Sequence, residues 1–192
     1  MKLNKVLLKE QFALVLLLPL LMLATRMDHF GSAVTLPDAS LAAFFLAGFY
    51  LRRFAGFILL CVLAAGIDYW AITERDVSDF CITAAYGFLL PTYFSVWWAG
   101  YWSRTNTGDK VLLVITTIVS VLVAFLISNG SYYLFSGNFS EISAVEYIGR
   151  VAQYFPGYLL APLGYLSAAA LFNYLLVNVL SSQKVERLDS NE

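Results

Sequence analysis

The stretch VLLVITTIVSVLVAFLISNGSYYLF, residues 111–135, carries no charged side chain over its whole length. A helix of that length reaches ~37 Å at 1.5 Å per residue, more than the ~30 Å hydrocarbon core of a bilayer. Helices packed on a soluble core keep one polar face. Here Val, Leu, Ile and Phe occur all round, so the stretch reads as a membrane span.

Working outward, five further apolar segments lie at Val6–Thr25, Ser40–Tyr50, Phe54–Ala71, Ile82–Trp102 and Phe155–Leu180. Of the 192 residues 60% are hydrophobic and 13% charged, where a soluble domain carries about a quarter charged. The segment at Ser40 is short for a span and predicts a helix that starts earlier, tilts or is partly shielded. Residues 145–180 are too long for one straight helix, at ~54 Å. Pro156-Gly157 predicts a break there, Pro162 and Gly164 a kink, and Ile142–Tyr154 an external element near the interface. Pro91 is expected inside span four, bending it against the carbonyl of Gly87. Small pairs four residues apart (Ala43 and Ala47, Gly157 and Ala161, Gly164 and Ala168) permit close helix contact, as is common in membrane helices.

Charge placement sets the orientation. With the N-terminus inside, the cytoplasmic segments hold Lys2, Lys5, Lys9, Arg52, Arg53, Arg104, Lys110, Lys184 and Arg187, nine of the twelve basic residues. Arg26, Arg75 and Arg150 fall outside, with eight of the thirteen acids. The expected fold is an all-α integral membrane protein: six transmembrane helices, N-in/C-in, in a single transmembrane domain over residues 1–192, with a polar tail from Ser181. Lys2, Lys5 and Lys9 ahead of Phe12–Ala24 resemble a signal peptide. An uncleaved first helix is preferred, because it keeps the alternation of loop charge intact.

The same composition excludes several classes. No basic stretch with interleaved aromatics marks a nucleic-acid partner. One histidine and two cysteines do not make a conventional zinc site or a disulfide framework. No Walker motif is present, so any ATP-driven step belongs to a partner. Ionisable residues are scarce at mid-membrane depth and gather at the outer side, around Asp68–Cys81, which points to a pocket filled from outside. Cys81 follows Ser78 and Asp79, either a candidate cap for span four. A thiol in a first helical turn is drawn toward thiolate, although Asp76 and Asp79 oppose it; the plain alternative is a small buried hydrophobe. Asp68 is solvated, caps a loop, or pairs with a cation or ligand. Arg150 pairs with Glu146 one turn away or faces a ligand. Tyr86 is an interfacial or core aromatic unless it lines a site, and His29 is a solvated loop residue or a second metal ligand.

Three runs, Asp68-Tyr-Trp-Ala-Ile-Thr, Phe80-Cys81 and Ala84-Ala-Tyr86-Gly-Phe-Leu-Leu-Pro91, resemble the solitary cobalamin S-components of proteobacteria (BtuM type). These are relatives of the substrate-binding subunits of energy-coupling factor transporters. The likeness is most specific over residues 66–98. It implies a six-helix S-component-like bundle in the bacterial inner membrane that binds vitamin B12 and carries it inward. It further implies Cys81 as the ligand of the corrinoid cobalt, with Asp68, Tyr86 and Arg150 as binding residues. A soft thiolate suits an axial position of cobalt, and its exchange for cyanide makes decyanation of cyanocobalamin an expected by-product. An ATP-driven energy-coupling module is a candidate partner, beside cobalamin and the lipid bilayer.

One departure bears on that partner. Many S-components carry an alanine pair at four-residue spacing in the first span for docking the coupling subunit. Span one here has Ala13 and Ala24, and the spaced pair Ala43 and Ala47 lies in span two. The rival readings are an S-component for another vitamin, a membrane-embedded thiol enzyme using Cys81 as nucleophile, and a membrane protein with no small-molecule site.

Overall fold

The structure is a computed structural model describing residues 2–26, 36–74, 79–106, 109–139 and 141–189. Its side chains are described at 14–26, 36–74, 79–80, 82–106, 109–139 and 141–175. Every regular element among them is helical: α1 (Lys2–Arg26), α2 (Ser40–Leu46), α3 (Phe54–Glu74), α4 (Leu89–Ser103), α5 (Lys110–Phe135), α6 (Ala144–Ala152) and α7 (Phe155–Asp189). Three of these, α3, α5 and the Phe155–Leu175 part of α7, are long and apolar enough to cross a membrane. Their outward side chains suit lipid: Val62, Leu126, Leu171 and Phe172 are each at least 58% exposed. A water-facing surface with that much contiguous apolar area would aggregate. Among the described residues the regular structure is all helical, in keeping with a helical membrane protein.

The short second segment is explained by shielding. α2 runs into a π-helical turn, Ala47–Leu51, which ends at Arg52 in the left-handed region (φ 54°). Together these elements rise only ~18 Å. Ser40 to Phe45, Ala47 and Gly48 are all buried, so protein rather than lipid covers this segment. Its closest neighbour is α4. A Cβ on Gly48 would strike the Trp97 carbonyl oxygen, and one on Gly100 the Phe45 carbonyl oxygen. The two backbones therefore meet directly, as small residues allow in membrane helices. Ala43 of α2 and Ala47 at the start of the π-helical turn are both fully buried. Phe44, also fully buried, stacks on Tyr93 of α4 with ring centroids 4.3 Å apart.

Span four departs from expectation at its start. Two short 3-10 turns, Asp79–Cys81 and Ala84–Phe88, precede α4, which becomes α-helical only at Leu89. Thr83 is extended and caps the second turn, its Oγ1 accepting from Ala85 N at 3.2 Å. Pro91 consequently stands in the first turn of α4, where its missing N–H lacks an intrahelical partner in any case. Gly87 lies in the 3-10 turn, so the bend expected within span four does not arise. Asp79 is not the cap of α4, whose N-cap position is Phe88. Ser78 lies outside the described residues.

The other ends follow local chemistry. Asp109 Oδ1 accepts from Val111 N and Leu112 N at 2.9 and 3.0 Å and starts α5. Ser143 Oγ accepts from Glu146 N at 3.3 Å and starts α6. The break between α6 and α7 falls at Gln153–Tyr154, leaving Pro156 in the first turn of α7 and Pro162 within it.

Candidate functional site

The ends of α1, α3 and α5 and the beginnings of α2, α4 and α7 surround a cavity of about 620 Å³. That is a ligand-sized volume, within the ~300–1,000 Å³ typical of small-molecule pockets. Its walls are mainly apolar and aromatic, with Tyr86, Tyr93, Tyr132, Tyr154 and Tyr158 among them. Small side chains on α7 keep it open. Gly157 and Ala161 line it, and a Cβ on Gly157 would meet nothing within 4 Å. This pair therefore makes room rather than the close helix contact its spacing permits.

The polar part of the wall centres on Arg26, the last residue of α1, only 7% exposed. Its Nε and Nη2 donate to the two oxygens of Asp68 at 2.7 and 2.6 Å, a bidentate pair. Nη1 donates to Tyr93 Oη at 2.8 Å and Ser40 Oγ at 3.0 Å, with Asp38 Oδ2 at 3.4 Å. Asp38 in turn accepts from the Ser40 N–H and O–H at 2.9 and 2.6 Å. The Tyr86 hydroxyl donates to Asp68 Oδ2 at 2.7 Å. One network thus ties together α1, the start of α2, α3, the 3-10 turn and α4. A buried carboxylate and guanidinium persist only when paired and hydrogen-bonded, which this geometry provides.

Asp68 and Tyr86 are therefore brought together, and both line the cavity. The backbone of Cys81 lies in the three-residue turn directly before Ile82, another wall residue; the Cys81 side chain lies outside the described residues. Since that turn is separate from α4, the dipole argument for a thiolate at the start of span four does not hold. Arg150 is placed elsewhere. It is exposed on α6, bound to Glu146 at 2.7 Å, and is not part of the cavity wall. His29 falls outside the described residues. Cys61 is half-buried within α3 and free.

The sequence reading did not single out Arg26, Asp38 or Tyr93. Arg26 was counted as an outer-loop charge because it follows an apolar run. The available signal was a pair of opposite charges, Arg26 and Asp68, each at the end of an apolar segment. Where such ends meet away from water, opposite charges have each other as the best available partner. Comparison of the chain with protein-family models and with curated proteins finds no match.

Proposed function

We propose that the protein is a cobalamin-binding component for vitamin B12 uptake across the bacterial inner membrane. It would have six spans, both termini in the cytoplasm, and the cavity facing outward. The observation that carries this reading is the cavity itself, in whose wall Asp68 and Tyr86 meet at 2.7 Å and which also includes Ile82, the residue after Cys81. The basic residues Arg52, Arg53, Arg104 and Lys110 gather at the opposite end from the cavity, in keeping with a cytoplasmic face there.

The chemistry is consistent. A corrinoid brings its own four equatorial nitrogens, so a single soft protein ligand completes the site, and the Cys81 thiolate is that ligand. With cyanocobalamin the step is a redox-neutral exchange: the Co–C bond to cyanide breaks, a Co–S bond forms, and cyanide leaves with its electron pair. Tyrosine rings supply flat apolar contact for the corrin, and the carboxylate of Asp68 accepts from peripheral amides. A corrinoid exceeds a drug-sized ligand, so part of it protrudes from the cavity. Arg150, on exposed α6, meets the ligand only through that protruding part. The driving force for inward movement comes from a partner such as an ATP-driven energy-coupling module.

The test is the visible spectrum of the purified protein after incubation with cyanocobalamin, compared with Cys81→Ala. A bound corrinoid whose spectrum shifts in a Cys81-dependent way is the expected result. Binding without that shift removes the ligand assignment, and absence of any bound corrinoid removes the reading.

A further inference from the structure

At the end of the bundle away from the cavity, two exposed arginines reach across one junction in opposite directions. Arg52, which ends the π-helical turn Ala47–Leu51, holds its guanidinium carbon 4.5 Å from the centre of the Tyr101 ring in α4. Arg104, which follows α4, holds its own 5.3 Å from the centre of the Phe49 ring in the π-helical turn. The backbones beneath them touch. A Cβ on Gly48 would strike the chain at Trp97 and Tyr101, and one on Gly100 the chain at Phe45 and Phe49. Both cations are therefore fixed at one place by directly packed elements.

Among the described residues neither forms an ion pair, whereas Arg26 binds Asp68 and Arg150 binds Glu146. The helix end at which each stands offsets only about half an elementary charge. The adjoining Arg53 and Lys110 add charge of the same sign, and Asp109 is engaged as the cap of α5. Beside the arginines the surface turns apolar. The exposed Trp98 ring stacks 5.6 Å from Tyr101, and exposed Phe54 follows Arg53. Tryptophan favours the headgroup level of a bilayer. Fixed guanidiniums next to exposed apolar rings match the profile of a lipid with an anionic head.

We propose that Arg52 and Arg104 form a binding site for the phosphate of an anionic phospholipid, with its acyl chains along Trp98 and Phe54. Guanidinium N–H groups donate to the phosphate oxygens. Basic clusters at the membrane ends of helices attract such headgroups. The site is independent of what the cavity binds.

The experiment follows thermal unfolding of the full chain in a neutral detergent with added phosphatidylglycerol or phosphatidylcholine. Phosphatidylglycerol should raise the unfolding temperature by about 5 °C more than phosphatidylcholine, as a ligand near 100 times its Kd would. Combining Arg52→Gly with Arg104→Gln should abolish that difference. Arg52 has a φ of 54°, a conformation that glycine takes without strain. Arg52→Gly alone should therefore unfold within about 3 °C of the wild type without lipid, yet respond less to phosphatidylglycerol. Arg53→Gln removes an equal charge from outside the junction and should keep most of the response. Equal responses to the two lipids overturn the proposal, as does a response that survives in the double variant. A loss as large in Arg53→Gln would mean a diffuse field and no site. If inorganic phosphate reproduces the shift at the same concentration, the lipid assignment falls.

Discussion

The two ends of the bundle hold arginine in opposite ways. At the cavity end Arg26 is buried, with a bidentate aspartate and two hydroxyls around its guanidinium. At the far end Arg52 and Arg104 are exposed, lying over the rings of Tyr101 and Phe49 at 4.5 and 5.3 Å. The far end is also the densely packed one. Gly48 and Gly100 bring backbones into contact there, and Trp97, Tyr101 and Trp98 stack along α4. Among the described residues, the two buried polar side-chain atoms without a partner, Trp97 Nε1 and Ser103 Oγ, both belong to that end. Close packing there tolerates an unmet hydrogen bond, whereas the cavity end leaves space and satisfies its charges. The contrast separates a densely packed end from one that encloses a cavity.

The sharpest way to break this comparison is Arg26→Met. It leaves buried Asp68 without its bidentate cation and should cost ~3–5 kcal/mol, seen as a large fall in thermal unfolding temperature in detergent. Adding Asp68→Leu should recover part of that loss, because removing both members of a buried pair costs less than removing one. A loss under ~1 kcal/mol for Arg26→Met would mean that water reaches the network freely.

Gly100→Ala comes next. The added methyl meets the Phe45 carbonyl, so overpacking of up to ~3 kcal/mol should outweigh the ~1 kcal/mol gain in helix propensity. A stabilised Gly100→Ala protein would show that α2 and α4 separate easily. Tyr86→Phe removes one hydrogen bond to a charged group and should cost ~1.5 kcal/mol, with weaker corrinoid binding in the spectroscopic titration. Arg104→Ala, at the exposed end, should cost no more than ~1 kcal/mol, the range for an exposed cation–π contact. If Arg104→Ala proved as damaging as Arg26→Met, the difference between the ends would be lost.

Much of the helical layout was legible. The run at 111–135 matches α5 (Lys110–Phe135), Phe54–Ala71 matches α3, and Ile142–Tyr154 contains α6. These segments are long or bounded by clear caps, so local composition decides them. Span four differs at its start, because residues 82–88 are apolar enough to join a helix by composition. Only the extended Thr83 and the 3-10 geometry separate them from α4. Asp68 and Tyr86 were legible as site candidates through the resemblance, and both line the cavity. Arg150 stands outside it, held by Glu146 through a pairing its spacing already allowed.

By itself, the sequence pointed to helices suited to a membrane, because an uncharged apolar run of 25 residues is long enough to span lipid as a helix that satisfies its own backbone hydrogen bonds. It also showed that polar residues gather around Asp68–Cys81. Only the tertiary structure decided which of them meet. Arg26 and Asp68 are 42 residues apart in the chain, and nothing local distinguishes an arginine that ends a helix in water from one that folds into a carboxylate pair. That choice depends on which helix ends share a depth and on what the surrounding helices exclude.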